Sequence, residues 1–193
     1  MIGLVLCGGK SIRMGTDKGL LENNNGTWVS SSAHKLAALN IPVYVSVNKD
    51  QYLHYQTLFK CHQLVEDSAM LDFGGPLRGI LSTHLLHPKS SIFVLACDLQ
   101  SIDVTVLHYL TQQFRIHTHS DAIVFNNESE IEPLCGIYSS KALATILNDY
   151  KHGHLQKFSM KYVLDRISTT ALTLPTEWTP YFKNYNFKSD ITS

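Results

Sequence analysis

The sequence predicts an α/β fold in which a mostly parallel sheet lies between two layers of helices. Three observations predict it. Short apolar runs recur along the chain, the first of them ends at glycines, and stretches with helical spacing separate them. Strands that alternate with helices build βαβ units, and such units close into a parallel sheet covered on both faces.

The elements follow in order. Ile2-Gly3-Leu4-Val5-Leu6 reads as a strand buried on both faces. Asn25-Gly26, between Leu20-Leu21-Glu22 and Thr27-Trp28-Val29, signals a turn in a small hairpin. Val29 to Leu39 is a helix with Ala33, Leu36, Ala37 and Leu39 apolar, and Val43 to Val47 is the next strand. After the short run Leu64-Val65, Leu77 to Leu86 is a second helix and Ile92 to Ala96 a third long apolar strand. Val104 to Phe114 is a helix with Asp103 as its N-cap. Ala122 to Phe125 is a strand, and Glu132 to Tyr138 reads as a strand opened by Pro133. Lys141 to Tyr150 and Leu155 to Ile167 read as helices and Thr169 to Leu174 as a strand, after which Pro175 and Pro180 break the pattern. With no repeat, linker or low-complexity tract, residues 1–193 are expected to form one domain.

Composition narrows the function. The chain is 44% hydrophobic and 17% charged, the make-up of an ordinary globular protein. Its formal net charge is zero, which removes the bulk electrostatic case for a nucleic-acid partner. Basic residues focused in one cleft would still suit a small anion. Cys7, Cys61, Cys97 and Cys135 form no CxxC pair, so neither a zinc knuckle nor a disulfide framework is expected. The His117/His119 and His152/His154 pairs lack a third ligand at metal spacing. No apolar run approaches the ~20 residues that span a bilayer, and Met1 to Leu6 lacks the make-up of a signal peptide. The expectation is a soluble, cytoplasmic protein with neither a nucleic-acid nor a membrane partner.

The chemistry concentrates in Leu6-Cys7-Gly8-Gly9-Lys10-Ser11-Ile12-Arg13-Met14-Gly15-Thr16-Asp17-Lys18, directly after the first strand. In open α/β sheets ligands bind beyond the carboxyl ends of the strands. Gly8 and Gly9 let backbone N–H groups approach an anion, while Lys10, Arg13 and Lys18 supply three positive side chains suited to a triphosphate. The spacing is neither that of a P-loop nor that of the dinucleotide fingerprint. Asp98 ends the apolar strand Ile92–Ala96 and so falls at the same sheet edge. A single carboxylate there suits Mg²⁺, which keeps waters and takes substrate phosphate oxygens. Gly74-Gly75-Pro76 forms a close-approach turn before a helix, with Asp67 upstream. Glu132 to Tyr138 and Asn184-Tyr185-Asn186 are unremarkable when read alone.

Together these residues resemble one family. Leu6-Cys7-Gly8-Gly9-x-Ser11-x-Arg13-Met14-Gly15-x-Asp17-Lys18-x-Leu20-Leu21 is similar to the signature loop of the molybdenum cofactor guanylyltransferases. Related loops occur in the cytidylyltransferases and in the sugar and isoprenoid nucleotidyltransferases. Gly75-Pro76-Leu77-x-Gly79-Ile80, Cys97-Asp98, Pro133-Leu134-x-Gly136-x-Tyr138 and Phe182-x-Asn184-x-Asn186 resemble later elements of that family, in its order. The resemblance implies a Rossmann-like three-layer sandwich and transfer of GMP from GTP to the terminal phosphate of molybdopterin, with release of pyrophosphate. It implies that Leu6, Cys7, Gly8 and Gly9 cradle GTP, that Lys18 and Arg13 contact phosphates, that Asn48 and Asp67 hold the nucleoside, and that Asp98 ligates Mg²⁺. The partners it implies are GTP, the molybdenum cofactor and other proteins of cofactor biosynthesis. The chain departs from the pattern at Cys7, Gly19 and Arg78, each where Ala is usual. It departs again at Gln100-Ser101, where Pro is usual, and at Phe187-Lys188 in place of Thr-Pro. Transfer of CMP or another nucleotidyl group on the same scaffold is the alternative within the enzyme class. A catalytically silent nucleotide-binding protein is the alternative outside it.

Overall fold

The computed structural model describes residues 1–7, 17–23, 26–128 and 130–183. Gly8 to Thr16, Asn25 of the expected turn, and Asn184 to Lys188 lie outside the described residues. In chain order the elements are β1 (Ile2–Leu6), β2 (Glu22–Asn23), β3 (Gly26–Thr27), α1 (Trp28–Ala37), β4 (Val43–Val47), α2 (Lys49–Tyr55), β5 (Leu64–Glu66) and α3 (Pro76–Leu86). There follow β6 (Ile92–Ala96), α4 (Val104–Ile116), β7 (Ala122–Asn127), β8 (Glu130–Tyr138), α5 (Ser140–Lys151), α6 (Met160–Leu164) and β9 (Thr169–Thr173).

Seven strands form one sheet in the order β5-β4-β1-β6-β8-β7-β9, and β2 and β3 pair as a separate small hairpin. Six of the seven run the same way. Only β8 is reversed, antiparallel to both β6 and β7. Alternation along the strands feeds two cores. Val5, Cys7, Val45, Val47, Phe93 and Leu95 pack under α1 and α4, whereas Ile2, Leu4, Leu6, Ile92 and Val94 pack under α3, α5 and α6. That is the expected helix–sheet–helix sandwich with its mostly parallel sheet.

Two local expectations need correction, and one helix was not expected. The helix expected over 155–167 is confined to Met160–Leu164. Gly153, with φ of +73°, ends the preceding turn, and Ser159 caps the helix from its side chain. Between them Leu155 is buried and Phe158 stacks on Phe73 with centroids 4.3 Å apart, so these apolar residues serve tertiary packing and not a helix face. Next, β8 begins at Glu130, and Pro133 lies inside it. The β7–β8 register jumps from Val124↔Gly136 to Phe125↔Glu132, and Pro133, which has no N–H to give, falls in that interruption. Finally, α2 was not expected. Asn48 and Gln51 start it with a reciprocal capping box.

Candidate active site

The site lies beyond the carboxyl ends of β1, β4, β5 and β6. Parallel pairing of β1 with β6 puts Leu6 opposite Ala96, and the Cys97 N–H continues it by donating to the Leu6 carbonyl at 3.1 Å. The chain therefore leaves both strands at one edge, at Cys7 and at Asp98. Asp17 caps a 3₁₀ turn, Lys18–Leu20, by accepting the Gly19 N–H at 2.9 Å. That turn aims Lys18 across the edge, and its Nζ donates to Asp98 Oδ2 at 3.3 Å. The two side chains are 21% and 25% exposed, so the pair is open to a ligand yet partly screened from water. Lys18 is thus half-buried.

Leu6 and Cys7 are buried. Burial, with the neighbouring Cys97 thiol adding to it, pushes the Cys7 thiol well above its ordinary range, so it stays neutral. Asn48 follows β4, and its side-chain oxygen accepts the Gln51 N–H at 2.9 Å as the cap of α2. Asp67 follows β5, tied down by its N–H donating to the Val47 carbonyl at 3.0 Å. Burial pushes its carboxyl up, Arg78 opposes that, and Glu66 adds to it. Arg78 Nε stands 4.0 Å from Asp67 Oδ2, while Nη2 donates to the Ser68 carbonyl at 3.1 Å. Arg78 therefore serves Asp67 and its turn. The structure brings Lys18 and Asp98 into contact and sets Asn48 and Asp67 on neighbouring strand ends. Gly8, Gly9 and Arg13 lie outside the described residues.

Sequence reasoning missed three residues that build this edge. Gln100, standing where proline is usual, donates from Nε2 to the carbonyls of Cys97 at 2.5 Å and Trp28 at 3.2 Å. Its Oε1 accepts from Asn23 at 2.8 Å. Its own carbonyl accepts Lys35 Nζ at 2.6 Å. The side chain thus fixes the turn after Asp98 by hydrogen bonds where a proline ring would fix φ. Gln51 and Tyr55 both donate to Asp17, and the Asn-x-x-Gln spacing of a capping box was the available signal for the first of them.

The profile of the MobA-like NTP transferase domain matches residues 3–167. The chain belongs to that family. Its members are nucleotidyltransferases, and this chain is an enzyme of that class. Solved structures agree on the fold. Molybdopterin-guanine dinucleotide biosynthesis protein A from Archaeoglobus fulgidus superposes with a TM-score of 0.73 at 19% identity, covering 100% of this chain and 95% of that one. The bifunctional IspDF from Campylobacter jejuni gives 0.72 at 12% identity, covering 99% of this chain and 53% of the other. 4-Diphosphocytidyl-2C-methyl-D-erythritol synthase from Anaerococcus prevotii gives 0.70 at 8% identity, over 98% and 92% of the two chains.

Within this family the residues at hand favour positioning and charge stabilisation over covalent catalysis. The Tyr55 phenol is held protonated by burial and the Cys7 thiol is neutral, so neither offers a nucleophile. Among the described residues no group of three His, Cys, Asp or Glu side chains could hold a metal by itself. One carboxylate does fit Mg²⁺ that arrives with a triphosphate, because that ion keeps waters and takes phosphate oxygens. Among the described residues, too, no helix is long and apolar enough to cross a membrane.

Proposed function

We propose that this chain is a cytoplasmic enzyme of one domain, residues 1–193, that transfers GMP from GTP to the terminal phosphate of molybdopterin. An oxygen of the acceptor phosphate attacks the α-phosphorus, the bond from that phosphorus to the β-phosphate bridging oxygen breaks, and pyrophosphate leaves with the electron pair. The observation that carries the reading is the contact of Lys18 Nζ with Asp98 Oδ2 at 3.3 Å, made across eighty residues at the carboxyl edge of β1 and β6. A cation and an anion held together there are matched to a triphosphate and to its divalent ion. Lys18 moves onto phosphate oxygens when the nucleotide enters, and Arg13 adds a second positive charge. Asp98, once released from Lys18, would hold Mg²⁺. Bound there, the ion would neutralise developing phosphate charge. Leu6, Cys7, Gly8 and Gly9 present backbone to the phosphates, and Asn48 and Asp67 take the nucleoside. The acceptor is its own nucleophile, so orientation and fixed charge suffice.

The guanine and molybdopterin assignments are supported by the signature resemblance and by the likeness to the Archaeoglobus protein. Thermal stabilisation by nucleotide with Mg²⁺ separates the bases. At a GTP concentration 100 times its Kd the expected gain is ~2.7 kcal/mol, with little from CTP. Stabilisation by CTP alone would reassign the donor. Absence of pyrophosphate release with GTP, Mg²⁺ and molybdopterin would reject the acceptor reading. Asp98→Ala is expected to abolish that release.

A further inference from the structure

The side chain of Gln51 touches both stems of the segment that the proposed reaction uses for phosphate. Its Nε2 donates to Asp17 Oδ2 at 2.7 Å and to the Cys7 carbonyl at 3.3 Å. Cys7 leaves β1, and Asp17 opens the turn that carries Lys18. The amide cannot easily turn away, because its Oε1 is occupied by the Asn48 N–H at 3.0 Å, the returning half of the α2 capping box. Asp17 is saturated from its other side. Its Oδ1 accepts the Tyr55 hydroxyl at 3.0 Å and the Gly19 N–H at 2.9 Å. Tyr55 is fully buried, and its hydroxyl occupies the space where a side chain at position 19 would begin. That accounts for glycine at a position where the family often carries alanine.

We propose that Gln51 is a positioning residue that staples Cys7 to Asp17 and so fixes the arrival of Lys18 at Asp98. The inference rests on the nucleotidyl-transfer reading and deepens it. A chain that leaves at Cys7 and returns at Asp17 pays loop-closure entropy, and a side chain that bridges the two stems meets that cost before substrate binds. Hydrogen-bond donors and charges that are already in place need no reorganisation during reaction. Asn48 then has a second role through Gln51, since the cap it provides is what orients the amide.

Gln51→Glu tests this, because glutamate keeps an acceptor for the Asn48 N–H but sets a carboxylate against Asp17 in place of a donor. In that variant kcat/KM for GTP should fall at least about thirtyfold, the scale of the lost hydrogen bond to charged Asp17, with the weaker bond to the Cys7 carbonyl lost as well. The double variant Asp17→Asn with Gln51→Glu restores a donor on the Asp17 side of the gap with its polarity inverted but leaves the Cys7 carbonyl without one, so it should recover only in part, to within about tenfold of wild type. Trypsin cleavage of the chain without nucleotide supplies a readout independent of chemistry. It should quicken in Gln51→Glu and return toward wild type in the double variant. Should Gln51→Glu fail to fold, Tyr55→Phe, which removes one donor to Asp17, should show about a fivefold loss and the same quickened cleavage. Unchanged kinetics with unchanged cleavage overturns the staple, as does a double variant no better than Gln51→Glu. If the wild type releases no pyrophosphate from any nucleotide, the functional reading falls, while the cleavage series still decides the staple.

Discussion

Lys18→Ala should separate catalysis from stability. The salt bridge to Asp98 is 3.3 Å long, with partners 21% and 25% exposed, so water and salt screen it. Pairs this accessible contribute at most ~1 kcal/mol to folding. For a chain of this size that corresponds to a fall of about 2–4 °C in Tm. Asp98, left without the ammonium, can hydrate and incurs no large burial penalty. The same ammonium, placed where charge develops on phosphate, is worth about 3–4 kcal/mol in the transition state, or ~10²–10³ in rate. The expected outcome is a nearly normal melt with pyrophosphate release reduced at least a hundredfold, Lys18→Arg lying between. Circular-dichroism melts and a coupled pyrophosphate assay, run on the same preparations, measure both quantities. A fall of more than ~8 °C in Tm would refute the reasoning and make Lys18 structural, and so would activity within a few-fold of wild type.

Two further outcomes follow from the packing. In Gly136→Ala the new methyl would stand 2.7 Å from Val124 Cγ1 and 3.0 Å from the Ile123 carbonyl oxygen, a backbone atom inside a central ladder. Overpacking of this kind costs about 1–3 kcal/mol, so Tm should fall by roughly 3–10 °C, and an unchanged melt would contradict the β7–β8 register. His84 is buried on α3, its Nδ1 has no partner among the described residues, and burial lowers its pKa from the ordinary value. The unfolded chain therefore takes the proton first, so stability is intact above about pH 6.5 and is lost as pH falls below it. Melts between pH 7.5 and 5.5 should show a smaller fall for His84→Leu than for wild type, and parallel slopes would exclude His84 as a source of acid sensitivity.

Much of this architecture could be read from the chain because local chemistry and topology agree there. Ile2–Leu6 and Ile92–Ala96 are apolar on both sides, so each had to be a central strand, and parallel strands deliver their following residues to one edge. Asp98 and the stem carrying Lys18 could therefore be placed together before any contact was known. The rest depended on tertiary partners. Among the residues of α2, Tyr55 is the buried one, so no apolar stripe announced that helix and only its cap did. Leu155 and Phe158 carry helical spacing but are committed to packing elsewhere. Neither the pairing of Arg78 with Asp67 nor the ties of Gln100 leave a mark in sequence spacing, since their partners lie on other elements.

The register jump in β8 has a consequence for how far one end of the strand can vary without disturbing the other. Residues 136–138 are locked between β6 and β7, whereas residues 130–132 are registered with β7. The strand is in effect two ladders in series, with Pro133 and Leu134 as the joint. Ordinarily, altering one end of a central strand risks slipping the whole of it and turning every side chain to the wrong face. Here the joint absorbs an offset, so the outer ladder, which begins at the carboxyl edge of the parallel strands, can vary in length or charge while the inner one keeps its place.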